Sequence, residues 1–163
     1  MELTMLGTGN ATVTECYNSC FVLSKDNKHF LVDGGGGIGL LRQLKYSDIN
    51  WRDVRDIFVT HKHIDHLLGI VWMVRLICQG MNRGNYDGQA RIYGHKEVLD
   101  TIKLLATNLL SEAETAYIGK GLHLVEVKDA EELNIINHKL VFFDTHSTKV
   151  KQFGFTIYLN ERD

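Results

Sequence analysis

The spacing of hydrophobic residues changes along the chain and predicts a succession of strands and helices. Residues 20–24 and 29–32 are short apolar runs separated by a polar turn, a pattern typical of a β-hairpin. Apolar residues recur at helical spacing in residues 38–45 and 97–110, and residues 67–79 are apolar almost all round, which indicates a buried helix. Further strands are predicted at residues 2–6, 57–60, 91–93, 122–127, 134–136, 139–143 and 154–159.

The order of these elements predicts a mixed α/β fold in which helices cover a face of a sheet. A length of 163 residues corresponds to roughly one domain, and no repeat or linker divides residues 1–163. Hydrophobic residues make up 44% of the chain and charged residues 23%, which excludes disordered and fibrous classes.

Charge, cysteine content and the N-terminal sequence limit the class of protein further. A net charge of −2 argues against a strongly basic face for non-specific nucleic-acid binding. The three cysteines, Cys16, Cys20 and Cys78, form neither a disulfide framework nor a zinc motif, so we expect them to be reduced. The N-terminus lacks the basic segment of a signal peptide, and no apolar run approaches the ~20 residues that span a bilayer. We therefore expect a cytoplasmic protein without a membrane partner.

A glycine-rich segment, Gly-Gly-Gly-Gly-Ile-Gly at residues 34–39, satisfies the G-x-G-x-x-G pattern of dinucleotide-binding folds. That fingerprint also requires an acidic residue about 20 positions on, at the end of the next strand. Here the next predicted strand ends in His61, and Asp33 places a negative charge where a phosphate would lie. We favour a tight strand-to-helix turn and keep nucleotide binding as an alternative.

Three of the eight histidines lie within six residues, in His61-Lys62-His63-Ile64-Asp65-His66. Residues two apart in an extended segment point to the same side, so His61 and His63 can hold one metal ion. Asp65 and His66 lie where the chain enters the predicted helix and can hold a second ion. Imidazole and carboxylate ligands suit zinc, and also manganese or iron, and the absence of nearby thiolates favours a catalytic site.

Two further site residues are predicted at strand ends. His146 directly follows an apolar strand and is the candidate third protein ligand for the first ion. Asp33 also ends a strand, where a buried carboxylate needs hydrogen bonds. Accepting them from the metal-binding loop or a ligand imidazole would satisfy it, and capping a turn is the alternative. We interpret the remaining histidines as structural or exposed: His29, His95, His123 and His138.

These residues together resemble the metallo-β-lactamase superfamily, and most closely its ribonuclease Z-like branch, over essentially the whole chain. The resemblance lies in Leu31-Val32-Asp33-Gly34, in Thr60-His61-Lys62-His63-Ile64-Asp65-His66, in His146-Ser147, and in the segments at residues 6–9 and 152–155. It implies an αββα sandwich of which this chain supplies the N-terminal half and a little more. It also implies roles for the site residues: His61, His63 and His146 on the first metal, Asp65 and His66 on the second, Asp65 orienting or deprotonating a bridging water, and Asp33 supporting the metal loop.

The expected activity is hydrolysis by a water that two metal ions activate, with zinc the first choice. Two such ions stabilise the attacking and leaving oxygens of an in-line displacement, which suits a phosphodiester in RNA or in a small molecule. Hydrolysis of an ester, lactone or thioester is the alternative within the same superfamily. Residues 9–14 lack the proline that tRNA-processing members usually carry there, and this disfavours tRNA as the substrate.

The resemblance also implies that a bridging aspartate and a last histidine complete the site after the third motif, and this chain ends at Asp163 before either motif appears. We therefore expect the chain to be the first part of a longer enzyme. A hypothesis of another class is a non-catalytic, metal-binding half-domain with an exposed apolar face, which would favour a homodimer.

Overall fold

A computed structural model describes residues 1–159, which form two sheets and four α-helices. The strands are β1 (Glu2–Gly7), β2 (Cys20–Lys25), β3 (Lys28–Val32), β4 (Val54–Phe58), β5 (Ala90–Gly94), β6 (Leu122–Glu126), β7 (Glu132–Ile135), β8 (His138–Asp144) and β9 (Phe153–Tyr158). The helices are α1 (Gly39–Tyr46), α2 (Ile64–Asn82), α3 (Lys96–Leu109) and α4 (Glu112–Thr115), and Trp51–Asp53 forms a 3₁₀ turn.

The larger sheet has six strands in the order β1-β2-β3-β4-β5-β6. Strands β1, β2 and β3 pair antiparallel, whereas β3 to β6 are parallel. The predicted hairpin joins β2 to β3 through Asp26 and Asn27, both left-handed with φ of 51° and 58°, as a two-residue turn of this kind requires. Because β3 and β4 are parallel neighbours, the residues that follow them emerge at the same edge of the sheet.

Alternate residues of the larger sheet enter two separate hydrophobic cores. Leu31 and Ile57 pack among apolar residues of the helices, such as Ile70. Phe30 and Phe58 face the other way and pack against the second sheet, which has the antiparallel order β7-β8-β9. The described residues therefore form three layers: helices, the six-stranded sheet and the three-stranded sheet. This mixed α/β arrangement confirms the predicted fold class.

No helix of residues 1–159 covers the outer face of the three-stranded sheet. Phe143 and Tyr158 on that face are 41% and 53% exposed. A Cβ atom on Gly154 would lie 2.7 Å from the ring of Phe143, so this ring packs over the glycine of the neighbouring strand. An ion pair of 2.7 Å between Lys139 and Glu132 lies on the same sheet, so the exposed face mixes aromatic and charged groups.

Several element boundaries differ from the predicted ones. Strand β4 begins at Val54 because that residue pairs with His29 of β3, and the strand therefore includes the half-buried polar residues Arg55 and Asp56. Helix α2 begins at Ile64 and continues to Asn82, since Gly80 packs against Tyr86 inside the fold and does not end the helix. The short helix α4 was not predicted, and it begins with a capping box formed by Ser111 and Glu114.

Helix α2 bears on the expectation of no membrane partner. By length and composition it is apolar enough to cross a membrane, with a mean hydropathy of 1.3, in contrast to the expected absence of such a run. However, 56% of the tested window is buried inside the protein, and buried core helices commonly pass the same test. The helix is thus weak support for a membrane span, and the absence of a membrane partner stays a prediction.

Replacing Phe142 by alanine should destabilise the protein by about 3–5 kcal/mol, because it leaves a cavity between the two sheets. Phe142 is fully buried, with its ring centroid 5.2 Å from that of Phe58. Phe143→Ala is the matched control, since its ring lies on the outer face, and it should cost about 1 kcal/mol or less. Urea unfolding followed by circular dichroism measures both. Equal losses of stability in the two variants would contradict a hydrophobic core between the two sheets.

Candidate metal centre

The histidine segment lies at the carboxyl edge of the parallel sheet, between β4 and α2. His63 is extended, with φ of −66° and ψ of 150°, and the helix begins at the next residue. His61 and His63 therefore precede the helix, whereas Asp65 and His66 lie in its first turn, where a negative charge is favourable. The amide of Phe153 donates to the Thr60 carbonyl at 3.0 Å, which joins this segment to the second sheet.

Asp33 binds the histidine segment from the end of the neighbouring strand β3. Its side chain is buried, and one carboxylate oxygen, Oδ1, accepts from the Thr60 amide at 2.8 Å. The other, Oδ2, accepts from the Thr60 hydroxyl at 2.8 Å and from His66 Nδ1 at 2.7 Å. Three hydrogen bonds compensate the cost of removing this carboxylate from water. Asp33 thus holds the histidine segment through Thr60 and His66, and its role in supporting a metal loop stays a prediction.

Thr60 fixes the ring of His61. Because the Thr60 hydroxyl donates its only hydrogen to Asp33, its oxygen accepts from His61 Nδ1, 2.9 Å away. His61 Nε2 then carries a lone pair and faces His63 Nδ1 at 3.0 Å. Burial, followed by the nearby His66 and His63, lowers the pKa of His61 to about 4, so the ring is neutral at neutral pH. Two nitrogens that converge in this way fit the donor set of a metal ion.

Asp33 fixes the ring of His66 in the same manner. Since His66 Nδ1 donates to Asp33, His66 Nε2 is left facing Asp65 Oδ2 at 3.5 Å. Burial lowers the pKa of His66, but the hydrogen bond to Asp33 and the charges of Asp33 and Asp65 raise it overall. The ring centroids of His61 and His66 are 4.1 Å apart. The structure thus brings together four of the five predicted metal ligands.

His146, the fifth predicted ligand, lies outside this group. Its side chain is 84% exposed, and its Nδ1 is 4.0 Å from Asp144 Oδ1. The residue is left-handed, with φ of 54°, and its amide donates to Asp144. It belongs to the turn between β8 and β9, and Phe153, which follows that turn, contacts Thr60. Within residues 1–159, no three His, Cys, Asp or Glu side chains form a ready-made set of metal ligands, so the ligand roles stay predictions.

The glycine-rich segment uses its own amide groups within the fold. Gly34 donates to the His66 carbonyl at 2.7 Å, Gly36 to Asn18 Oδ1 at 3.1 Å, and Gly37 to the Tyr17 hydroxyl at 3.2 Å. A nucleotide phosphate would need such amides to be free. These contacts support a structural turn over a nucleotide site.

Sequence reasoning gave no role to Thr60 or Tyr17. Thr60 immediately precedes a candidate ligand, and a hydroxyl group at that position could have indicated the contact that orients His61. Tyr17 lies in an aperiodic loop and contacts Gly34, 17 residues away, so no local pattern indicates it.

Replacing Asp33 by asparagine should lower the free energy of unfolding by about 1–3 kcal/mol, the cost of leaving buried hydrogen-bonding groups without partners. Asparagine tolerates the left-handed φ of 59° at this position, so the change tests the charge and the hydrogen bonds rather than the backbone. Asp100→Asn on the exposed surface of α3 is the control and should change little. Denaturant unfolding compares the two. Unchanged stability of Asp33→Asn would show that the network contributes nothing.

Comparison with known proteins identifies relatives of this chain in sequence and in fold. A profile of the family described as Anti-Pycsar protein Apyc1 matches residues 1–162. Ribonuclease Z of Methanococcus aeolicus is 34% identical over 107 residues, covering 63% of this chain and 30% of that protein. Two solved structures are similar in fold. The metallo-β-lactamase fold protein YhfI of Bacillus subtilis has a TM-score of 0.72 and 16% identity, and the match covers 96% of this chain and 58% of that one. The short form of human tRNase Z has a TM-score of 0.70 and 20% identity, and the match covers 97% of this chain and 64% of that one.

The alignments cover between 30% and 49% of the length of the ribonuclease Z relatives. The profile match nevertheless extends over nearly the whole chain. This chain is similar in sequence to ribonuclease Z proteins and has the fold of metallo-β-lactamase fold proteins, and it belongs to the family described as Anti-Pycsar protein Apyc1.

Proposed function

We propose that this chain carries the metal-binding part of a phosphodiester hydrolase. The observation that carries the proposal is the convergence of His61 Nε2 on His63 Nδ1 at 3.0 Å, with the His61 ring held from behind by Thr60 and Asp33. Relatives named ribonuclease Z and a neighbour named tRNase Z support a phosphodiester substrate. RNA and small phosphodiesters are the two proposed substrate classes.

Zinc is the proposed cofactor, with two ions in the complete site and manganese or iron as alternatives. Bound ions of this kind lower the pKa of water and stabilise negative charge on phosphate oxygens. His61 and His63 would hold the first ion, joined by His146 once its turn brings the side chain inward. Asp65 and His66 would hold the second. The neutral His61 and the carboxylate of Asp65 suit these roles because each offers lone pairs.

The chain's own residues supply orientation and a proton acceptor. Asp33 and Thr60 fix the rings of His61 and His66, so neither ring has to search for its binding orientation. Asp65 is 9% exposed, and its Oδ2 faces His66 Nε2. We assign Asp65 to orient an attacking water and accept its proton. A cytoplasmic location, a single domain spanning residues 1–163 and a homodimer remain predictions from the sequence.

The purified chain reconstituted with zinc should hydrolyse bis(p-nitrophenyl) phosphate, lose this activity on chelation and regain it with added zinc. Asp65→Ala should lower kcat by about 10²–10⁴-fold, the usual contribution of a positioned acid–base group. Asp87→Ala, in an exposed loop, is the matched control and should retain full activity. Release of p-nitrophenol measures each rate. Full zinc occupancy without turnover of any phosphodiester would sink the proposal.

A substrate panel separates the two classes and the rival chemistry. It contains an RNA with a 3′ extension, small phosphodiesters that include cyclic mononucleotides, and an ester, a lactone and a thioester. Turnover of small phosphodiesters without cleavage of RNA would assign the small-molecule class. Turnover confined to the ester, lactone or thioester would replace phosphodiester hydrolysis by the alternative within the superfamily.

A second candidate function is metal binding without catalysis by the chain alone. The exposed position of His146 favours it, because the first ion then lacks a third protein ligand. This candidate predicts weak occupancy of the Asp65–His66 side and self-association through an uncovered face. Elemental analysis together with sedimentation tests it, and two zinc ions per monomeric chain would refute it.

A further inference from the structure

The loop between β1 and β2 is fastened to the glycine-rich segment by the side chain of Tyr17. Its hydroxyl oxygen lies 2.8 Å from the Gly34 carbonyl and 2.7 Å from the Gly37 carbonyl. It also accepts from the Gly37 amide at 3.2 Å. The hydroxyl has one hydrogen and so donates to one carbonyl at a time. Burial raises the pKa of Tyr17 to about 12, which keeps this hydrogen in place at neutral pH.

The ring of Tyr17 fills the space that side chains on the glycine-rich segment would need. A Cβ atom added to Gly35 would lie 2.3 Å from the Tyr17 ring, and one added to Gly39 would lie 2.6 Å from it. Gly35 is also left-handed, with φ of 66°, which disfavours other residues there. The glycine run thus lets an aromatic ring lie directly on the backbone.

The segment that Tyr17 contacts is continuous with Asp33 and is held from its other side by helix α2. Gly34 donates to the His66 carbonyl at 2.7 Å, and Gly69 donates to the Gly35 carbonyl at 3.0 Å. Asp33 itself has a φ of 59°, a conformation that is uncommon for a residue with a Cβ atom and persists where the surroundings impose it. Tyr17 and α2 are the surroundings on the two sides.

We propose that Tyr17 is a positioning residue for the candidate metal centre. Its hydroxyl fixes residues 34–37 and thereby aims the Asp33 carboxylate at Thr60 and His66. The orientation of His66 is a property of the metal-free chain, whereas the expected effect on zinc binding rests on the proposed function. Loss of the hydroxyl should weaken zinc binding by about tenfold, the lower end of the range for residues that orient metal ligands.

Tyr17→Phe tests this proposal because it removes one oxygen and keeps the ring. In the metal-free protein, the Gly37 amide should exchange faster, and the Nδ1–H resonance of His66 should shift or broaden in NMR spectra. The ring of His29, which contacts Ser24 at 2.8 Å, is an internal reference and should not change. Tyr46→Phe is the matched control, since Tyr46 is 73% exposed. Zinc titration should give the tenfold weaker affinity for Tyr17→Phe alone.

An unchanged His66 resonance and an unchanged zinc affinity in a folded Tyr17→Phe protein would overturn the proposal. Should that variant fail to fold, Asn18→Ala removes the contact from Asn18 Oδ1 to the Gly36 amide on the same segment. It should move the His66 resonance in the same direction, and no change would likewise overturn the proposal. A moved resonance in a chain without phosphodiesterase activity would uphold the positioning role while the proposed function fails. If wild type and Tyr17→Phe hydrolyse the phosphodiester equally and the His66 resonance does not move, the proposed function stands and the positioning role of Tyr17 fails.

Discussion

The buried carboxylate of Asp33 is the interaction on which the candidate metal centre depends. At 5% exposure it must be hydrogen-bonded, and the three donors that satisfy it come from Thr60 and His66. Each side-chain donor also determines the direction of an imidazole: Thr60 orients His61, and His66 is oriented directly. One desolvated carboxylate therefore orients two rings. Removing it would disturb stability and ligand geometry together.

The pairing of β3 with β4 makes this contact available. Val32 pairs with Phe58 in parallel register, and the amide of Asp33 extends the ladder by donating to the Phe58 carbonyl at 2.8 Å. Asp33 and Thr60 consequently emerge side by side at the carboxyl edge of the sheet. Side chains alternate between the two faces of a strand. A shift of one residue in this register would therefore move every side chain of the strand to the opposite face of the sheet. The two cores that Leu31 and Phe30 enter on opposite faces oppose such a shift.

Local patterns predicted much of this fold and site, and long-range contacts account for the remainder. The strongly periodic helices and the hairpin were predicted because their signals lie within a few neighbouring residues, and the spacing of His61 to His66 predicted their clustering for the same reason. The outward position of His146 depends on its left-handed backbone and on the hydrogen bond to Asp144, which the strand pattern before it does not encode. The roles of Thr60 and Tyr17 depend on partners that the fold brings from distant parts of the chain.

The glycine-rich segment shows why its pattern alone does not determine its function. In a nucleotide site, glycines bring free amides close to a phosphate, whereas here they bring a helix and an aromatic ring close to the backbone. A Cβ atom on Gly69 would lie 1.8 Å from the Gly34 carbonyl oxygen, so only a glycine at that position allows α2 to approach so closely. This approach places the first turn of α2 beside Asp33, where His66 reaches the carboxylate. The glycines thus contribute to the geometry of the candidate metal centre through packing.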